Sequence, residues 1–416
     1  MKTKLLAVSA LAAACVTAAA SAQDLERGET VLTRPRPEVE QLGVRAGGFR
    51  ILPRMEVGGT YDSNVFATDS ATKDDFITVI RPELDVRSDW NNHALNFRAS
   101  GDLARYSQYK TQDFNDFATN LNGRVDVLRD VQVGAEAFFR REHEGAGDAD
   151  LIGTFTRPVV YYVTGGEAYY AHRFGRFSTR LTGNGTYYNY ENGTDATGRS
   201  VSQDYRDRWD TRGALRLGYQ VAEGYEAFIQ GALVKSHYNH TPAGSPSRDS
   251  DGYEVVGGAA FDLTGLLTGE VFAGYMERSY DTAIYKDFSG FTVGGRLNWS
   301  VTQLTTVTGQ ASRQVRDTLV YQNGRVASSY TRTLVALGVD HELLRSLLLN
   351  GRAQYRTDDY NGISRTDDVY TLGAGATYQV NRYLSVTGGY TYEKRSSDAI
   401  NDYKDNLVYL RLGAQL

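Results

Sequence analysis

From Arg208 to Val221 the chain changes character at every residue. Trp209, Thr211, Gly213, Leu215, Leu217, Tyr219 and Val221 take one parity, while Arg208, Asp210, Arg212, Arg216 and Gln220 take the other. Successive side chains of a β-strand point to opposite faces, so this stretch makes a strand with one apolar and one charged face. The split recurs from Asp116 to Val127, with Phe117, Leu121, Val125 and Val127 set against Asp116, Asn120, Asn122, Arg124 and Asp126. Near the end, Tyr370, Leu372, Ala374, Ala376, Tyr378 and Val380 alternate with Thr371, Gly373, Gly375, Thr377 and Gln379. Runs of roughly ten residues with this period suit strands tilted across a bilayer.

About 18 such segments (16–18) follow one another, an even number in keeping with bacterial barrels. They begin near Leu52, Asp75, Asn92, Asp116, Val131, Val159, Phe177, Tyr205, Tyr225, Gly252, Leu267, Phe288, Leu304, Tyr330, Ser346, Val369, Tyr383 and Asn406. Tight turns follow even-numbered segments, as at Leu128-Arg129-Asp130, Phe174-Gly175-Arg176, Ala222-Glu223-Gly224 and Asn381-Arg382. Longer polar stretches follow odd ones, at 143–157, 192–204, 239–251, 357–366 and 396–404. Short turns face the periplasm in such barrels and long loops the exterior, which puts both termini on the periplasmic side. The expected fold is therefore all-β, a single transmembrane antiparallel up-and-down β-barrel over residues 51–416. In its last strand Val408, Leu410, Leu412, Ala414 and Leu416 face lipid, while Tyr409, Arg411, Gly413 and Gln415 face inward. Trp90 and Trp299 fall near periplasmic turns and Trp209 near an external loop, where interfacial aromatics belong.

The amino terminus fits export. Lys2 and Lys4 precede an apolar run from Leu5 to Ala20, and Ala20-Ser21-Ala22 is a small-x-small cleavage site, so residues 1–22 read as a signal peptide. Cys15, the only cysteine, lies within it. The remainder has no disulfide framework and must be stabilised by backbone hydrogen bonds and packing. No later run of apolar residues is long enough for a membrane helix. The mean hydropathy of −0.44 coexists with 29 Tyr, 16 Phe and 43 Gly against 7 Pro, a balance that suits many strands and excludes disorder. A net charge of −5 leaves no basic footprint for nucleic acid.

Three stretches at the start of the barrel carry a family resemblance: Thr33-Arg34-Pro35-Arg36-Pro37-Glu38, Gly43-Val44-Arg45-Ala46-Gly47-Gly48-Phe49 and Gly59-Thr60-Tyr61-Asp62-Ser63-Asn64-Val65-Phe66. As a set they resemble the "putative β-barrel porin 2" family of Gram-negative outer-membrane proteins, and the strand pattern carries the likeness to the end of the chain. The resemblance implies an outer-membrane barrel, assembled by the barrel-assembly machinery. Some relatives are associated with exopolysaccharide production.

Residues 23–50 alternate poorly, and Pro35 and Pro37 disfavour strand pairing. This segment is read as a periplasmic N-terminal extension, or as a partial plug using Arg34, Arg36, Glu38 and Arg45. Signatures of catalysis are absent: there is no H-E-x-x-H, no phosphate loop, no G-x-S-x-G and no cysteine cluster. No enzyme, cofactor or metal is expected. His237 and His240 read as surface histidines, and Asp62-Ser63-Asn64 as a turn.

The inner wall remains as the candidate site. Its face receives Arg98, Asp102, Arg124, Asp126, Glu136, Arg140, Glu167, Arg180, Arg212, Arg216, Glu254, Glu270, Arg296, Arg352, Arg356 and Arg411. These charges either pair and hydrate one another across a wide interior or form an arginine-rich path for anionic or sugar-like solutes. Three functions follow. They are passive diffusion of small hydrophilic solutes, polysaccharide export with a periplasmic partner, and a structural or adhesion role without transport.

Overall fold

A computed structural model describes residues 30–34, 36–148, 155–242, 245–263 and 265–416. The signal-peptide reading of residues 1–22 lies outside them. The described chain forms a closed antiparallel barrel of 18 strands. In chain order they are β1 (Phe49–Asp62), β2 (Asp75–Ser88), β3 (Ala94–Tyr106), β4 (Phe114–Leu128), β5 (Val131–Glu144) and β6 (Val159–Phe174). The middle third comprises β7 (Phe177–Tyr190), β8 (Arg208–Ala222), β9 (Tyr225–Tyr238), β10 (Ser250–Leu263), β11 (Leu267–Tyr280) and β12 (Phe288–Thr302). The last six are β13 (Thr305–Gln322), β14 (Arg325–Leu344), β15 (Leu347–Asn361), β16 (Thr366–Gln379), β17 (Leu384–Ser397) and β18 (Tyr403–Gln415). Each pairs with its sequence neighbours, and β18 returns to β1 in a register running from Arg54↔Gln415 to Asp62↔Leu407. Closure pairs the first strand with the last, so neither end of the sheet is left open to water or another chain.

The alternation decides which face is inside. Arg216 on β8 meets Glu270 on β11 at 2.9 Å, and Arg212 on β8 meets Glu254 on β10 at 3.2 Å. Side chains from strands that are not neighbours converge only on the concave side of a curved sheet, so this parity is the interior. The other parity exposes Leu121, Val125, Leu181, Leu215, Leu217, Leu233, Leu410 and Leu412. Aromatic side chains border that apolar band at both ends. Phe174, Phe177 and Tyr219 cluster at the short-turn end with ring centroids 5.8 and 5.2 Å apart, and Tyr187 stacks on Trp209 at 5.0 Å at the other.

Turns of two to five residues close one end, with Gly175 (φ 60°) and Gly224 (φ 78°) supplying the left-handed conformations that the tightest need. At the long-loop end the pattern departs from expectation once. β13 and β14 are joined only by Asn323 and Gly324, both at positive φ. β14 consequently starts at Arg325 rather than near Tyr330, because the strands run on past the membrane as a hairpin. For the same reason β15 continues to Asn361, and only 362–365 of the loop expected at 357–366 is loop.

A peptide tag inserted between Thr197 and Gly198, in the exposed turn after β7, is expected to react with antibody on intact cells. One inserted at Glu223-Gly224 is expected to react only after permeabilisation. The reverse pattern would invert the orientation.

Candidate functional site

Among the inward charges named from the sequence, most are held in ion pairs on the wall. Arg216 bridges Glu270 (2.9 Å) and Glu226 (3.5 Å), and its guanidinium lies 3.5 Å above the Phe228 ring. Arg212 pairs with Glu254. Arg180 stands 4.0 Å from Glu167 and 3.8 Å above the Tyr169 ring. On β4 and β5, Arg124 Nε lies 3.2 Å from Asp126, Glu136 accepts a hydrogen bond from Asn120 at 2.6 Å, and Arg140 lies 3.6 Å from Glu142. Arg98 pairs with Glu83, and Asp102 with Arg81 at 2.9 Å. Arg296 is exposed and stands opposite Glu270 in the β11–β12 register.

A second group lies on β14 and β15. Arg352 pairs with Asp340 at 2.6 Å, while Arg356 (3.3 Å) and Arg332 (2.6 Å) share the fully buried Asp358. Arg411 of β18 lies 4.3 Å above Tyr409 and is buried. The structure therefore brings the predicted residues together as alternating charges rather than as an uncompensated arginine track. Such pairs hold the long side chains against the wall, and each arginine removed exposes a carboxylate.

Two features escaped the sequence. Arg206, in the loop before β8, grips Glu144 of β5 bidentately at 2.5 and 2.8 Å over the Tyr190 ring. Next to it, burial raises the Asp207 carboxyl above the usual carboxylate range. The other is Asp317 of β13, which accepts hydrogen bonds from Ser236 of β9 and from Arg278 and Tyr280 of β11, all at 3.1 Å. Arg278 shares the parity of Glu270 and was open to discovery by counting. Asp317 was not, because its parity is that of the outward residues Ala311 and Val335, which pair in register.

The mouth at the short-turn end holds the segment that precedes β1. Val31, almost fully buried, donates its N–H to Thr306 Oγ1 at 2.9 Å, and Arg34 reaches both the Gln303 carbonyl and Glu342 at 2.5 Å. Arg36, whose pKa burial lowers, donates to the Val31 carbonyl. The chain then crosses to β1 and β18, where Gly43 N–H donates to the Leu416 carbonyl and Gln41 to the Pro53 carbonyl. Of the two histidines read as surface residues, His237 hydrogen-bonds Asp249 at 2.6 Å.

No curated protein is significantly similar to the chain. Solved structures are similar in fold. OccK3 (OpdO) of Pseudomonas aeruginosa is 12% identical, with 88% of this chain and 95% of that one covered at a TM-score of 0.44. OccAB4 of Acinetobacter baumannii is 11% identical over 92% and 100% of the two chains, TM-score 0.45. The siderophore receptor PiuA of Acinetobacter baumannii is 9% identical over 90% and 82%, TM-score 0.48. Residues 36–416 match the family described as "Putative beta-barrel porin 2", a match that takes in the second and third of the three stretches and the whole barrel, and the chain belongs to that family of bacterial outer-membrane barrels.

Proposed function

We propose that the barrel is an outer-membrane channel for passive diffusion of small hydrophilic solutes, reached after export through a signal peptide at residues 1–22. The observation that carries this reading is the interior itself. Its charged side chains line the concave face of the closed wall and pair along it, from β8 to β10 and from β8 to β11, which gives the polar interior that passage of hydrophilic solutes needs. Guanidinium groups offer carboxylate- or sugar-bearing solutes bidentate donors without changing protonation. Purified protein in a planar bilayer is expected to give stepwise ionic currents. A folded barrel that never conducts, with or without its amino-terminal segment, would overturn the reading.

In this proposal the segment preceding β1 is a partial plug. Its contacts with Thr306 and Glu342 on one side and Leu416 on the other, at the short-turn end, support this reading. Deleting residues 23–40 is expected to raise single-channel conductance, and Glu342→Gln, which removes the charge facing Arg34, to raise it less. Conductance unchanged by the deletion would make the segment a surface extension.

A further inference from the structure

The wall between β12 and β13 is paired over only part of its height. Pairing runs from Thr302↔Thr305 to Gly294↔Ser312 and stops there. Both strands continue: β12 stays paired with β11 as far as Phe288↔Arg278, and β13 with β14 as far as Gln322↔Arg325. Residues 288–293 and 313–322 thus face each other across a seam. At its lower end a side chain takes over from the ladder, Thr292 Oγ1 donating to the Arg313 carbonyl at 3.0 Å.

The cause is the β13–β14 hairpin, which leaves the wall. Gln314 has inward parity, standing opposite Arg332, itself opposite Asp358. Asp317 has the other parity, yet it bonds Ser236, Arg278 and Tyr280 on the inner face of β9 and β11. The outer face of β13 has therefore passed inside the barrel, and the hairpin lies over the lobe formed by β8–β12. Beneath it is a cavity of about 200 Å³. Phe228, Phe272 and Met276 line one part of it, and Gln230, Glu254 and Gln314 another. The Phe272 ring lies flat on the wall at the point where pairing ends, in space that a Cβ on Gly294 would take, 2.3 Å from the ring.

The height of the seam says what it meets. Phe291 and Tyr275 are register partners, both outward and exposed, with Tyr253 6.4 Å from Tyr275, and they form the aromatic border on the long-loop side. Gly294 is three residues below Phe291, so the seam opens at the headgroup and upper-chain level of the outer leaflet. Unpaired strand edges are costly against hydrocarbon and are tolerated where they line a hydrated cavity.

We propose that this seam is a lateral entrance, through which the polar head of an outer-leaflet amphiphile enters the cavity while its chain stays in the membrane. The cavity chemistry selects a hydroxyl-rich head without net charge. Arg212, Arg216 and Arg278 are matched by Glu254, Glu270 and Asp317, while Arg313, which also lines the cavity, donates to Thr333 and lies over the Phe291 ring, and Glu277 accepts from Tyr253; the cavity charges are thus engaged, whereas Gln230 and Gln314 offer amides and Phe228 and Phe272 offer faces for the C–H side of a sugar ring. This route is separate from aqueous conduction and goes beyond the channel reading.

Photocross-linking tests it in the full-length protein reconstituted in vesicles. Benzoylphenylalanine replaces Phe272 in the cavity or, as a lipid-face control, Leu233, and the vesicles carry a fluorescent alkyl maltoside. Label is expected at both positions, and at position 272 excess free maltose should not displace it. A disulfide between Val293→Cys and Arg313→Cys, the next pair had the ladder continued, is expected to abolish label at 272 and not at 233, with recovery on reduction. Cys15 is the only native cysteine, so no barrel thiol competes. A Phe291→Cys/Val315→Cys pair serves if the first does not fold or oxidise. Equal labelling of 272 in the locked barrel would mean entry by the pore, and no labelling at 272 in the open one would mean an unoccupied cavity; either overturns the proposal.

Discussion

Leu215→Arg is expected to cost the barrel about 2–4 kcal/mol, the range for arginine at the membrane midplane, and to leave much of the protein unassembled. Leu215 lies on the outer face of β8, 46% exposed, about midway between the aromatic borders marked by Trp209 and Tyr219, and its register partners are Leu181 and Gly231. No partner for a guanidinium exists on that surface. Gln220→Arg is the matched control: the same new side chain on the same strand, but on the inner parity beside Glu226, with an expected change within about 0.5 kcal/mol, as for surface substitutions. Heat-modifiable migration during urea titration measures both. Arg216→Leu makes a poor control despite its inward position, because it strips Glu270 and Glu226 of their common partner and uncovers the Phe228 ring. Equal losses in Leu215→Arg and Gln220→Arg would mean that the two faces are exchanged.

Period two makes most of the barrel legible in the amino-acid sequence. Strands such as β8 declare both faces residue by residue, and all but one of the 18 strand starts fall within about three residues of the apolar segments, the usual uncertainty of element boundaries. The miss at β14 has a physical reason. The stretch from Arg325 to Ser329 reads Arg-Val-Ala-Ser-Ser and does not alternate, since Ala327, Ser328 and Ser329 are all buried in the hairpin, and an unpatterned stretch after an odd-numbered strand looks like a loop. Asn323-Gly324 was the contrary signal, being the dipeptide that two-residue hairpin turns prefer. Alternation also reports only which side of its own sheet a residue is on. It places Arg212, Arg216, Arg352 and Arg356 on the inner wall but is blind to which carboxylates they meet, since those come from strands dozens of residues away. It fails outright for Asp317, where the hairpin bends inward and the outer parity becomes an inner contact.

Replacing Arg212, Arg216, Arg352 and Arg356 together with Gln is expected to make the channel cation-selective. The direction follows from the pairing. In the wild type these four guanidinium groups lie beside Glu254, Glu270, Glu226, Asp340 and Asp358, so their charges are balanced and weak selectivity is expected. Asp358 keeps Arg332 and Glu226 keeps Arg173 at 3.8 Å in the variant, but Glu254, Glu270 and Asp340 lose the arginine each was paired with. Four positive charges are removed while the carboxylate side chains remain, so the balance of the wall turns acidic and favours cations. Under a tenfold salt gradient the reversal potential should move toward the cation limit of about 59 mV. Losing the pairs also loosens the lobe under Phe228, so folding is verified first by heat-modifiable migration. Arg352→Lys/Arg356→Lys keeps the charge while giving up the bidentate geometry, and should leave the reversal potential near wild type. If the folded quadruple variant keeps wild-type selectivity, ions pass elsewhere, and these arginines serve only to hold the wall together.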